Sequence, residues 1–243
     1  MARSTPLVLT ARRLVKQFDG DERQFELQVP HLEVRAGSVN IIIGRSGCGK
    51  STLLDMLGLI SRPDSMKQFC IAAQGRSFQV GTAISAPEAE WLRRHALGYI
   101  LQTGGLLPFL TVRENVMLAC RLSGQGDAER AAELSVRLGI DSLASLYPAQ
   151  LSTGQRQRVA IARSLVHRPS LILADEPTGA LDPESARTVK DMLLENARRE
   201  GAAVIIVTHD AELFRSDADR VFGFRLKVQG KRVISMLQQE ANA

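Results

Sequence analysis

The sequence predicts an α/β protein with a parallel-sheet core, an antiparallel β subdomain and an inserted helical subdomain. Three observations carry that expectation. Apolar and polar residues alternate from Leu7 to Val34, the pattern of half-buried antiparallel strands. The buried run Val39–Ile43 breaks at Gly44 into a glycine-rich turn, and Leu53, Leu54, Leu57 and Ile60 then recur at helical spacing. Helix and apolar strand alternate through the last third, which is how a chain builds a parallel sheet covered on both faces.

Taken in order, Leu7, Leu9, Leu14 and Phe18, then Phe25, Leu27, Val29, Leu32 and Val34, mark the first strands. Arg62 to Pro87 carries Gly75, Gly81 and short apolar pieces and reads as surface strands and loops. Glu88–Ala96 reads as a helix and Leu97–Leu101 as a short strand. From Thr111 to Tyr147 the pattern is helical throughout, with Thr111 and Asp127 placed as N-caps and Glu114 completing a capping box. A helix from Gln155, a strand Leu171–Ala174, a helix Pro183–Arg198, a strand Ala203–Val207, a helix from Asp210 and a hairpin around Gln229 and Gly230 follow. No internal repeat or linker-like run divides the chain, so one domain over 1–243 is expected, with its core in 1–101 and 156–243 and the helical subdomain at about 102–155.

Composition excludes several classes of function. With 44% hydrophobic and 23% charged residues the 243-residue chain resembles ordinary globular proteins. No run approaches the roughly 20 apolar residues needed to cross a bilayer. The N-terminal stretch is interrupted by Arg12 and Arg13 before an apolar region forms, unlike a secretory signal, so a cytosolic protein is expected. Cys48, Cys70 and Cys120 lack CxxC spacing and are expected as reduced thiols, without a disulfide framework or zinc site. The net charge of +5 comes from interspersed cations and anions, as at Asp21, Glu22 and Arg23. Sparse aromatics do not interleave with basic runs, so no nucleic-acid partner is expected.

Gly44-Arg45-Ser46-Gly47-Cys48-Gly49-Lys50-Ser51 fits the pattern G-x-x-x-x-G-K-[ST] between a strand and a helix, the context a P-loop requires. Its glycines let successive backbone N–H groups face one concavity, Lys50 adds a point charge for the outer phosphates, and Ser51 offers an oxygen to Mg²⁺. Leu171–Ala174 delivers Asp175 and Glu176 at a strand end. Asp175 suits the metal, and Glu176 suits the base that activates a water against the γ-phosphate. A second strand, Val204–Val207, ends near His209, either a ring N–H donor to the γ-phosphate or a plain polar loop residue. Leu151-Ser152-Thr153-Gly154-Gln155 opens a helix whose first N–H groups suit a further anion.

These motifs, in this order, resemble an ABC transporter ATP-binding subunit over nearly the whole chain: the P-loop, a Q-loop at Gln102, the signature Leu151–Gln155, Glu176, a D-loop Ala180-Leu181-Asp182 and the switch His209. Together with Leu106-Leu107-Pro108 and Val112-Arg113-Glu114-Asn115-Val116, the stretch Asp175–Asp182 is similar to the lipoprotein-release and macrolide-efflux (LolD/MacB/FtsE-like) group.

The resemblance implies a P-loop NTPase of the ABC ATPase fold that binds ATP and Mg²⁺. ATP would be held by Gly44, Ser46, Gly47, Cys48, Gly49, Lys50, Ser51 and Thr52, with Phe18 either stacked on adenine or packed in the sheet. Mg²⁺ would be held by Ser51, Gln102 and Asp175, and catalysis would fall to Glu176, His209 and Gln102. Ser152, Gly154 and Gln155 would reach the ATP of a second copy, and Asp182 would communicate across that dimer. The implied function is ATP hydrolysis in a homodimer that drives an integral membrane permease of the MacB/FtsX type. The subunit would lie peripherally on the cytoplasmic face of the inner membrane. The alternative is an FtsE-like ATPase that anchors or regulates a membrane complex without transport. Leu106–Leu110 is an apolar loop that either accepts a permease helix or packs beneath the insert.

The chain departs from the family's pattern at Thr153 and between Arg62 and Pro87, which lacks the usual Ser-Gly turn opening the strand pair after the first helix; Cys48 poses a separate question. Thr153 stands where the family's usual signature has glycine, which puts the rate of turnover in question. Cys48 lies inside the P-loop, where N–H groups and Lys50 favour its thiolate; either it is reactive or it is an inert small residue.

Overall fold

The computed structural model describes residues 5–20, 24–81, 84–125 and 127–240. The first four residues of the N-terminal stretch and the mixed-charge residues Asp21–Arg23 lie outside the described set. Strands β1 (Leu7–Asp19) and β2 (Gln24–Arg35) pair antiparallel, with Leu14 opposite Val29 and Phe18 opposite Phe25. β3 (Val39–Ile43) leads into α1 (Lys50–Leu57). β4 (Gln68–Ala73) and β5 (Arg76–Gln79) then extend the antiparallel sheet from β1. The segment that reads from sequence as strands and loops is therefore a registered hairpin. Its turn, Gln74–Gly75, has φ of 49° and 73°, the left-handed pair that matches the twist of a two-residue hairpin.

Next come α2 (Ala86–His95), β6 (Leu97–Ile100), α3 (Val112–Ser123) and α4 (Ala128–Arg137). Ser85 and Thr111 cap α2 and α3 in capping boxes, and Asp127 caps α4. The helical pattern expected to reach Tyr147 stops at Arg137. Gly139 adopts φ 60°, and Asp141–Leu143 and Pro148–Gln150 form single 3-10 turns instead. The chain continues through α5 (Thr153–Leu165), β7 (Leu171–Asp175), α6 (Pro183–Arg198), β8 (Ala203–Thr208), the short α7 (Glu212–Arg215), β9 (Arg220–Gln229) and β10 (Arg232–Gln239).

Strands β9, β3, β8, β7 and β6 form the parallel core in that order. β10 turns back antiparallel on β9 and pairs parallel with β2, joining core and N-terminal strands into one ten-stranded sheet. Apolar side chains fill both faces. On one, Leu53, Leu54 and Leu57 of α1 pack with Leu27, Leu173 and Val207. On the other, Val116 and Cys120 of α3 and Leu134 of α4 join the same cluster as Ile172 and Ile206, so the helical insert shares the core of the sheet. Buried Arg130 adds a polar tie: its guanidinium donates to both oxygens of Glu200 at 2.7 and 2.8 Å and to the Asn196 side chain at 3.1 Å. That pairing satisfies a charge which burial alone would make costly.

Candidate active site

The parallel strands end on one rim, and the loops leaving β3, β7 and β8 meet there. β3 is apolar and almost wholly buried, which anchors the start of the phosphate loop. A Cβ on Gly44 would come within 2.6 Å of the Cys48 sulfur and 3.0 Å of Phe224, so only glycine lets the loop fold back at that point. Gly47 and Gly49 have φ of 77° and 99°. Among the described helices of eight or more residues, α1 alone lacks a side-chain cap; Gly49 stands at its N-cap in a left-handed conformation. Its first N–H groups are left for an anion, which the helix dipole also favours. Lys50 lies back along the loop, donating to the carbonyls of Gly44 at 2.8 Å and Arg45 at 3.1 Å.

Ser51 donates its hydroxyl to Asp175 Oδ2 at 2.8 Å, so the start of α1 and the end of β7 share the floor of the site. Burial pushes the Asp175 carboxyl above the ordinary range; the charge of Glu176 acts in the same direction and the Ser51 hydrogen bond against it. A hydroxyl beside a carboxylate suits a hard cation that takes most of its remaining ligands from phosphate and water, as Mg²⁺ does. No larger cluster of metal-ligating side chains occurs among the described residues.

Glu176 adopts φ 48°, unusual for a residue with a side chain. Its backbone N–H is held by Val207 O at 2.9 Å. Its carboxylate meets His209 Nδ1 at 2.8 Å and accepts from the His209 backbone N–H at 3.3 Å. The His209 ring is mostly exposed, whereas the Glu176 side chain is nearly covered.

These groups line a cleft of about 590 Å³ with Phe18, Phe25, Gly44, Arg45, Ser46, Gly47, Gly49, Thr52 and Gln102. Phe18 and Phe25 stand at its apolar end, ring centroids 6.3 Å apart. Phe25 is absent from the sequence-based candidates. Its signal was the alternation it shares with Leu27, but only the register that sets it opposite Phe18 brings it to the cleft. Of the two readings open for Cys48, the inert one fits: it is buried beneath the loop and absent from the cleft lining. Burial raises its thiol pKa and outweighs the opposing effect of Lys50, so the thiolate is disfavoured. Maleimide labelling of the native protein at neutral pH, read by peptide mass spectrometry, is expected to modify half-buried Cys70 at least about tenfold faster than Cys48.

Ser152, Gly154 and Gln155 lie outside the cleft at the start of α5. Ser152 accepts from the Gln155 N–H at 3.2 Å, while the Gln155 side chain accepts from the Ser152 N–H at 2.8 Å. Thr153 turns its hydroxyl back along its own helix, accepting from Arg156 Nη2 at 3.0 Å. The departure from glycine therefore adds an intrahelical tie, and the methyl and hydroxyl stay on the exposed end of α5.

Comparison with known proteins places these features in context. A family model described as ABC transporter matches residues 27–179. The methionine import ATP-binding protein MetN of Mesorhizobium japonicum is 45% identical over 78% of this chain and 51% of its own length, so the chain spans about half of that relative. The lipoprotein-releasing system ATP-binding protein LolD of Idiomarina loihiensis is 38% identical over 86% of this chain and 91% of its own. The macrolide export ATP-binding/permease protein MacB of Nitrosomonas europaea is 39% identical over 90% of this chain and 33% of its own. Among solved structures, the dimeric cassette MJ0796 superposes with a TM-score of 0.80 at 30% identity, covering 93% of this chain and 96% of that one. A second dimeric structure of MJ0796, in a post-hydrolysis state with ADP and Pi, also gives a TM-score of 0.80, at 28% identity over 97% of this chain and all of that one.

Proposed function

Because this chain belongs to the ABC transporter family as one of its ATP-binding, ATP-hydrolysing domains, we propose that two copies close around two ATP molecules and, through hydrolysis, drive a membrane permease of the MacB/FtsX type. One observation carries this reading. The cleft gathers a phosphate loop, a carboxylate–hydroxyl floor and Glu176, while the signature segment Ser152–Gln155, its helix start closed by its own capping box, lies outside it. A site built in two halves that one chain does not bring together is completed by another copy.

In this reading, loop N–H groups and Lys50 grip the phosphates, and Phe18 and Phe25 flank the base. Ser51, Asp175 and Gln102 are the residues that would hold Mg²⁺, which when bound supplies positive charge against the phosphate oxygens. Glu176 accepts the proton of the attacking water, and His209 orients its carboxylate. Ser152, Gly154 and Gln155 of the second copy seal the nucleotide, and Asp182 reports closure across the pair. Hydrolysis and phosphate loss remove the ligand that holds the halves together, and the pair relaxes.

The permease surface falls beside the insert. Phe109 is 70% exposed in the loop before α3, whereas Leu106 packs against the core. A groove of about 460 Å³ is lined by Tyr99 and by Leu118, Ala119 and Leu122 of α3, among others. In this reading the subunit lies peripherally on the cytoplasmic face of the inner membrane; no described helix is long and apolar enough to cross it. The match with LolD over most of both chains favours export or lipoprotein release.

Purification from detergent-solubilised membranes tests the assignment. An integral membrane polypeptide is expected to accompany the wild-type chain and to be lost from Phe109→Asp, while basal ATP hydrolysis stays within about twofold because Phe109 does not line the cleft. Recovery of the companion in equal amount with the variant would move the contact elsewhere. Absence of any membrane companion from the wild type would refute the transporter assignment.

A further inference from the structure

The hairpin of β9 and β10 runs beyond the parallel core. β9 pairs with β3 only from Arg220 to Phe222, yet it continues against β10 to Gln229. Side chains alternate across a sheet, so Phe222, Phe224, Leu226 and Val228 share one face. Phe222 is buried in the core beneath α1 and Phe224 packs against that core, but Leu226 and Val228 are 49% and 69% exposed. Register places Val228 opposite Val233, Val233 opposite Phe25, and Phe25 opposite Phe18. An apolar row thus crosses four strands, from the aromatic wall of the nucleotide cleft to the open end of β9. In the adjacent row Ser235 donates to the Cys48 carbonyl at 2.6 Å, tying this shelf to the phosphate loop.

We propose that the shelf formed by Leu226 and Val228 is a contact surface for a second copy of this chain in the nucleotide-bound pair, an inference that rests on the pairing proposed above. The shelf continues the wall of the cleft, so its occupant lies beside the cleft mouth. A lipid surface there would bar nucleotide exchange, whereas a second copy brings the exposed Ser152 segment to that place. Charge is complementary as well. Lys231, in the turn that joins β9 to β10, takes part in no ion pair among the described residues. Asp182 and Glu184 stand exposed where α6 begins, just after Ala180 and Leu181, which abut Gly154. The cation at the hairpin turn of one copy can therefore face carboxylates beside the signature segment of the other.

The test uses the full chain carrying Glu176→Gln, with ATP-dependent pairing followed by sedimentation velocity. Adding Val228→Glu is expected to weaken association at least about tenfold, and Val228→Ser to weaken it less. Binding of a fluorescent ATP analogue to the monomer is expected to stay within about twofold, since neither Leu226 nor Val228 lines the cleft. Undiminished pairing of Val228→Glu would overturn the inference while leaving the pairing reading intact. Failure of the Glu176→Gln parent to pair with ATP would sink the pairing reading and the inference with it. Flotation with phosphatidylglycerol vesicles that Val228→Glu abolishes, with pairing unchanged, would assign the shelf to a membrane and likewise overturn it.

Discussion

Lys50→Ala is expected to lower ATP hydrolysis by about a hundredfold or more and to weaken nucleotide binding, with little change in thermal stability. Among the described residues, the ammonium of Lys50 makes hydrogen bonds only to the carbonyls of Gly44 and Arg45, both at the edge of the cleft. Removing it leaves those carbonyls to water, so the fold loses little. Bound triphosphate, in contrast, loses the one side-chain ammonium among the cleft-lining residues. Steady-state hydrolysis and equilibrium ATP binding, with a melting curve as control, check this. Retention of more than about a tenth of the wild-type rate would contradict the phosphate role assigned to the loop.

Glu176→Gln is expected to reduce turnover by about 10²–10⁴-fold while ATP binding persists, and to accumulate an ATP-bound dimer. The substitution keeps size and the capacity to accept from His209, and an unbranched amide tolerates φ 48° no worse than the carboxylate does. What disappears is the group able to take a proton from water. Single-turnover hydrolysis together with light scattering separates two readings of this chain. An ATPase that powers transport loses its rate and stalls closed, whereas an anchoring scaffold that hardly hydrolyses ATP changes little.

The site was legible where its chemistry is local. A P-loop is a property of consecutive residues: Gly44 must avoid the Cys48 sulfur, and Gly47 and Gly49 must reach positive φ, and these needs leave a pattern within eight positions. Asp175 and Glu176 were legible for a similar reason, since a continuously apolar strand that ends in two carboxylates has little choice but to present them at its rim. Caps at Thr111 and Asp127 were equally local, whereas Ser152, whose neighbouring N–H groups the sequence left for an anion, caps α5 instead. The stop of α4 at Arg137 was not, because apolar residues beyond it keep helical spacing while Gly139 and Pro148 redirect the backbone.

Cys48 shows how a correct local premise misleads. Lys50 and nearby N–H groups do favour its thiolate, but the packing of the loop over β10 and Phe224 removes the sulfur from water, and desolvation is the larger effect. Thr153 makes the same point about direction: the sequence registers its bulk, while only coordinates show the hydroxyl turned toward Arg156.

By itself the sequence determined which residues form the phosphate loop, which strand delivers the carboxylates, and that strands and helices alternate into a parallel core. Tertiary structure alone decided that β10 runs parallel beside β2, that Phe25 joins Phe18 at the cleft, and that Leu226 and Val228 stand exposed. The physical reason is range. Backbone conformation and side-chain alternation are set by neighbours a few residues away, whereas strand partner, register and burial are set by chain segments hundreds of positions apart, as Gln24 and Arg232 are, and no periodicity encodes them.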